Sequence, residues 1–183
     1  MFDEFLYFYT ESIFGFKHLL ADDNLKHEII NSWKYLVDHG LVSIYGYVIM
    51  PNHVHLIWRM QRMNGKESAG SSFAKYTALR FKKYLQFVNP DLLKEFASDK
   101  ADRNYQFWKR DPLAIPLSSM DIFEQKLEYM HNNPMQEKWK LAHSPEAYRW
   151  SSARFYKNGE DEFGILANMY GSEQVSVGGD TDR

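Results

Sequence analysis

The residues best equipped for chemistry are His53-Val54-His55, in the apolar run at 53–60 (HVHLIWRM). Strand side chains alternate faces, so both imidazoles project from one face while Val54 and Leu56 point to the other. Their backbone positions then lie about 7 Å apart, close enough for the two rings to converge on one metal ion. On its own, an H-x-H pair more often marks two half-buried or surface histidines. A second group is Glu128-Tyr129-Met130-His131-Asn132-Asn133-Pro134. On a helix, Tyr129 and Asn133 are four residues apart and share a face, which turns a phenol and an amide oxygen toward one site, whereas His131 points elsewhere. Pro134 disfavours helical geometry at Asn133 and predicts a helix end there. With 12 tyrosines in the chain, a lone tyrosine is ordinarily a core aromatic.

The ligand types narrow the metal. The chain has no cysteine, which excludes disulfides, thiolate-bound zinc, iron–sulfur clusters and thiol nucleophiles. Only His, Asp, Glu and Asn side chains remain as metal ligands.

The elements that must position these groups follow from patterning. Aromatic and β-branched residues predict a first strand at 5–10. Leu25, Ile29, Trp33 and Leu36/Val37 recur at helical spacing with Gly40 as a stop, predicting a helix at 24–39. Residues 41–50 and 53–60 read as two strands joined by a tight hairpin at Pro51-Asn52. The Gly/Ser-rich stretch 64–72 reads as a flexible loop, 72–87 as a basic helix, 105–108 as a further strand, and proline-spaced 111–119 as a loop. Ser118/Ser119 can cap a helix at 120–132, and 145–156 reads as a last short helix. The tail from Gly171 is polar and expected to be disordered. The expected organisation is one domain over 1–157 and an acidic extension over 158–183.

At 183 residues and 44% hydrophobic content, the chain can bury a core. Its net charge of -2 argues against a wholly basic nucleic-acid coat, but the sum hides an uneven distribution. Residues 1–58 carry 3 basic and 7 acidic side chains, 59–110 carry 12 and 5, 111–157 carry 6 and 6, and 158–183 carry 1 and 6. A segment at +7 inside a near-neutral chain predicts a polyanion footprint. Within it, Lys75, Arg80, Lys82, Lys83, Lys109 and Arg110 are candidate phosphate contacts, and Tyr76, Tyr84 and Trp108 are either core aromatics or stacking platforms for unpaired bases. No apolar run approaches the roughly 18 residues of a membrane span, and the N-terminus lacks a basic leader region, so a soluble cytoplasmic protein is expected.

Four stretches in order, GYVIMPNHVHLIWRM, FWKRD, LEYMHNNPMQEKW and YRWSSARFY, resemble the REP-associated tyrosine transposases of the HUH superfamily of single-tyrosine transposases. The resemblance spans roughly residues 5–157. It implies an α+β fold, a ferredoxin- or RRM-like sandwich with a central antiparallel sheet. It implies His53, His55 and Asn133 as ligands of Mg²⁺ or Mn²⁺, and Tyr129 as the nucleophile; two imidazoles and an amide oxygen suit Mn²⁺, and Mg²⁺ with water filling the remainder, while ligand type alone leaves zinc and cobalt open. The chain departs from the family pattern at 111–116 (DPLAIP) and at 135–139 (MQEKW).

The implied activity is cleavage and rejoining of single-stranded hairpin DNA through a 5′-phosphotyrosine. Such a bond keeps the energy needed for rejoining, which simple hydrolysis would discard. Phenols ionise near pH 10, so a metal would do most of the electrophilic work. No nucleotide cofactor is expected, and the chain has no G-x-x-x-x-G-K-[ST] stretch. Two other classes fit the same residues: a non-catalytic hairpin DNA- or RNA-binding module, and a metallo-phosphodiesterase in which water attacks. Relatives include both monomers and homodimers, and either state is open here.

Overall fold

The computed structural model describes residues 6–99 and 104–171. Phe5 of the expected first strand, and the tail beyond Gly171, lie outside the described residues. Strand β1 (Leu6–Ser12) pairs antiparallel with β3 (His53–Met60), with Thr10 opposite His55. Strand β2 (Val42–Met50) joins β3 through Pro51-Asn52, so that Met50 faces His53 across a two-residue turn. Strand β4 (Leu113–Leu117) pairs antiparallel with the outer edge of β1, giving the order β2-β3-β1-β4. With helix α1 (Asp23–Asp38) after β1 and helix α2 (Ala69–Val88) after β3, the chain runs β-α-β-β-α-β, the ferredoxin-like arrangement within the α+β class.

Strand alternation gives the sheet two faces. Tyr9, Tyr47, Leu56 and Trp58 point to one, where Trp33 of α1 packs 5.5 Å from Tyr47 and 5.9 Å from Phe73 of α2. Asp22 caps α1 by accepting from the Asn24 N–H at 2.9 Å. Helix α2 buries Phe73, Thr77, Phe81 and Leu85, a stripe repeating every four residues. A short α3 (Pro90–Lys94) follows. The opposite face is covered by helix α4 (Met120–Asn132), capped by Ser119 as expected, through Phe123, Leu127 and Met130. Gly46 makes this approach possible. It lies at a bulge in β2, and a Cβ there would fall 2.4 Å from Met130 Cε and 2.7 Å from Leu127 Cδ1.

Several boundaries differ from the patterning. Helix α2 begins at Ala69 rather than 72, because Ser68 caps it and the small Gly70 passes close to the Tyr9 hydroxyl. Residues 105–108 form only isolated bridges, Ala97 with Tyr105 and Ile13 with Trp108. The stretch 111–119 instead contains β4: Pro116 is tolerated because β4 is an edge strand with one bonded side. The expected helix at 145–156 is a 3-10 turn (Pro145–Ala147), an extended stretch, and helix α5 (Ala153–Asn158). In the extended stretch the Trp150 carbonyl accepts from the Ile49 N–H at 2.8 Å, and the Ser152 N–H donates to the Tyr47 carbonyl at 2.9 Å. Residues beyond 158 return to the same edge, where the Ala167 N–H donates to the Ile44 carbonyl. Among the described residues, no helix is long and apolar enough to cross a membrane.

Candidate active site

His53 and His55 project together from β3 toward α4, with ring centroids 4.7 Å apart. Each is fixed by a hydrogen bond at Nδ1. The Asn52 amide donates through Nδ2 to the Phe16 carbonyl at 3.2 Å, so its Oδ1 is the atom that meets His53 Nδ1 at 2.6 Å. An amide oxygen only accepts, which assigns the proton to His53 Nδ1 and leaves Nε2 as an acceptor. His55 Nδ1 bonds Thr10 Oγ1 at 2.8 Å across the β1–β3 ladder, and Phe8 stacks on the ring at 5.0 Å. His55 Nε2 is buried without a partner among the described residues. Burial, with Lys138 nearby, pushes His53 down to about 4; burial, His53 and Lys126 push His55 down to about 3. Both rings are therefore neutral at neutral pH, the form that binds metal.

Tyr129 and Asn133 reach the same place from α4. The helix ends at Asn132, yet Asn133 keeps right-handed helical geometry (φ −56°, ψ −44°), so the proline does not rotate it off the face shared with Tyr129. Asn133 is buried, and its Nδ2 lies 3.4 Å from His53 Nε2. The Tyr129 ring is 5.5 Å from His55 and 6.2 Å from Phe8, with 47% of the residue exposed, so the phenol stands at the mouth rather than in the core. These groups line a pocket of about 240 Å³ that also includes Ser12, Phe16, Lys138 and Trp139. His131 points away, as its position on the helix predicts. Its Nε2 lies 2.8 Å from Ser152 Oγ, which also accepts from the Tyr47 N–H at 2.9 Å. Burial pushes His131 down to about 4, so this joint is neutral, and it ties α4 to β2.

The basic segment sits differently from its place in the sequence. Helix α2 lies across the sheet from His53 and His55, so Lys75, Arg80, Lys82 and Lys83 do not face the pocket. Arg80 pairs with Glu28 of α1 at 2.8 Å, Lys75 pairs with Glu67, and Lys82 Nζ lies 5.2 Å from the Tyr105 ring. Lys83 is exposed. Trp108 is not a stacking platform: it is 6% exposed, packs on Phe73 and Phe81, and donates from Nε1 to Thr77 Oγ1 at 2.9 Å. Lys109 is nearer the site, its Nζ lying 4.4 Å from the ring of Phe16. Arg110 borders a separate groove beside Glu11.

The cations that do face the pocket went unread in the sequence. Lys126 Nζ lies 5.2 Å from the Phe8 ring and 6.0 Å from the Tyr129 ring. Lys138 borders the pocket beside His53. Lys126 precedes Tyr129 by three residues, a spacing that puts both on one helix face. That spacing was the available signal. No local pattern marked Thr10 or Asn52, which the fold brings to the histidines from β1 and from the hairpin turn.

The arrangement holds two neutral imidazoles and a buried amide around a small pocket, with a phenol at its mouth and two ammonium groups beside it. The orphaned His55 Nε2, and the His53 Nε2 lone pair that now accepts from the Asn133 amide, are of the donor type that a divalent cation takes. Among the described residues, no cluster of three or more His, Asp or Glu side chains is arranged to hold a metal, so any ion here would depend on the two histidines, the Asn133 amide and water. No protein-family model matches the chain, and no curated protein matches its sequence at a significant level. Among solved structures, the fold is similar to that of a REP-associated tyrosine transposase bound to a REP hairpin, with a TM-score of 0.59 and 13% sequence identity over 92% of this chain and 88% of that one.

Proposed function

We propose that this chain is a metal-assisted, tyrosine-dependent endonuclease and strand transferase acting on single-stranded hairpin DNA. The observation that carries the reading is the meeting of His53, His55 and Asn133 with an exposed Tyr129 on one face of the sheet, from elements some 75 residues apart. The likeness to a transposase solved with a hairpin supports the nature of the substrate.

In this reading Tyr129 Oη attacks the scissile phosphorus, its proton passes to solvent, and the bond to the departing 3′ oxygen breaks as that oxygen takes a proton from solvent. A 5′-phosphotyrosine and a 3′-hydroxyl result. Attack by a second 3′-hydroxyl reverses the step and restores the phenol. His53 and His55, through Nε2, and the Asn133 amide would hold Mg²⁺ or Mn²⁺, which when bound would polarise the scissile phosphate as a Lewis acid. Thr10 and Asn52 fix the ring orientations through Nδ1. Lys126 stabilises negative charge developing near the phenol, and Lys138 attracts the phosphate to the pocket mouth.

The test incubates purified protein with 5′- or 3′-labelled REP-like hairpin oligonucleotides and Mn²⁺. A denaturation-resistant adduct that disappears in Tyr129→Phe is expected. Hairpin binding that persists in Tyr129→Phe and His53→Ala with no cleavage by the wild type would replace this reading by a binding module. Free 5′-phosphate ends that survive Tyr129→Phe would replace it by water attack.

A further inference from the structure

A second concavity, a groove of about 800 Å³, opens beside the end of β1, between the start of α2 and residues 105–112. Its wall includes Glu11, whose chain neighbour Ser12 lines the candidate active site on the opposite face of the sheet. Glu11 is 3% exposed, and its only side-chain hydrogen bond among the described residues comes from the Tyr9 hydroxyl. No cation pairs with it among the described residues, although Lys75, Lys109 and Arg110 border the groove; Lys75 is engaged by Glu67. Burial pushes Glu11 up to about 7. A buried carboxylate without a cation is costly unless other donors satisfy it. One tyrosine hydroxyl fills one of about four acceptor positions on a carboxylate. The candidate active-site chemistry makes no use of this group.

We propose that the groove binds one unpaired guanine nucleotide, the Glu11 carboxylate accepting from its N1–H and N2 amino group while Lys75, Lys109 and Arg110 meet the flanking phosphates. Guanine is the base whose Watson–Crick edge presents two adjacent donors. Adenine and cytosine set an acceptor beside their amino group, and thymine flanks its one N–H with carbonyls, so each turns a lone pair toward a carboxylate. The volume accommodates a nucleotide with its phosphates. That the nucleotide belongs to a DNA strand rests on the function proposed above; the pocket itself rests on Glu11.

The test measures fluorescence anisotropy of hairpin oligonucleotides with a single-stranded tail in which one position is guanine, adenine, cytosine, thymine or inosine. Wild-type protein is expected to bind one guanine-bearing tail about tenfold or more tightly than its adenine, cytosine and thymine counterparts. Inosine, which lacks the N2 amino group, loses most of that preference without any change to the protein. Glu11→Gln, whose folding is checked by thermal melting, abolishes the preference. Competition by 5′-GMP but not 5′-AMP assigns recognition to the nucleotide alone; a guanine preference that GMP does not compete assigns it to a nucleotide held in a strand. Equal affinity for all tails, equal binding of inosine and guanine, or a preference retained in Glu11→Gln overturns the proposal. The two readings separate cleanly: an adduct at Tyr129 without guanine preference removes the pocket alone, and guanine preference without an adduct removes the nuclease alone.

Discussion

Replacing Ser152 by alanine removes one oxygen from the joint between α4 and β2. Ser152 is 1% exposed, and its Oγ accepts from the Tyr47 N–H at 2.9 Å while lying 2.8 Å from His131 Nε2. Alanine leaves both groups buried and without a partner. Each unsatisfied buried group costs about 1–3 kcal/mol, so the substitution is expected to cost about 2–5 kcal/mol after partial relaxation. That is a large share of the roughly 5–15 kcal/mol that holds a domain of this kind together. Urea unfolding followed by the fluorescence of the five tryptophans measures it directly. In a His131→Phe background one of the two orphaned groups is already gone, so the same Ser152→Ala change should cost about 1 kcal/mol less. A loss below about 1 kcal/mol in the wild-type background, or an identical loss in both backgrounds, would refute the claim that this oxygen anchors the helix carrying Tyr129.

Gly46→Ala forces Met130 and Leu127 away from β2 and is expected to destabilise by about 1–3 kcal/mol; adduct formation should fall more than hairpin affinity, and equal losses in both would show that α4 is not positioned through this contact. Thr10→Val removes the Nδ1 partner of His55 and should weaken Mn²⁺ binding about 10–100-fold in calorimetry; unchanged affinity would detach Thr10 from the site. Glu11 is raised by burial from 4.5 to about 7, so the folded state holds its proton more tightly than the unfolded state. Its contribution is complete below pH 4.5 and is lost as pH rises through 7, on the order of 3 kcal/mol in all. Denaturation at pH 5 and pH 8 should therefore show Glu11→Gln gaining stability relative to the wild type at the higher pH; a constant difference would contradict the burial argument.

Local periodicity carried much of the fold. The alternation of His53-Val54-His55 and the Pro51-Asn52 turn placed both imidazoles on one face, and the Ser119 cap marked the start of α4. What local pattern could not carry was the side of the sheet on which each helix packs. The +7 segment precedes α4 in the chain, but chain order is not spatial order: α2 packs beside α1 on the face of the sheet opposite Tyr129. Lys126 and Lys138 face the pocket instead, inside a segment whose charges cancel. Strand β4 was hidden because Pro112 and Pro116 read as loop punctuation, although an edge strand has one unbonded side on which a proline does no harm. Trp108 shows the limit of composition: an indole beside Lys109 and Arg110 suits base stacking as a sequence, yet its N–H is satisfied by Thr77 in the core. The YRWSSARFY stretch is likewise explained by packing. Tyr148 donates to the Ile49 carbonyl at 2.7 Å, Tyr156 to that of Tyr45, and Ser152 joins β2 to α4.

The central claim is that the Tyr129 hydroxyl forms a covalent bond to the 5′ phosphate of a cleaved strand. Trypsin cuts after Lys126 and Lys138, releasing the peptide 127–138, in which Tyr129 is the sole tyrosine. After incubation with a hairpin oligonucleotide and Mn²⁺ and digestion of the attached DNA, mass spectrometry is expected to find this peptide carrying a phosphate-linked nucleotide on Tyr129. An unmodified peptide 127–138 alongside cleaved DNA, or the nucleotide on another residue, would contradict the account.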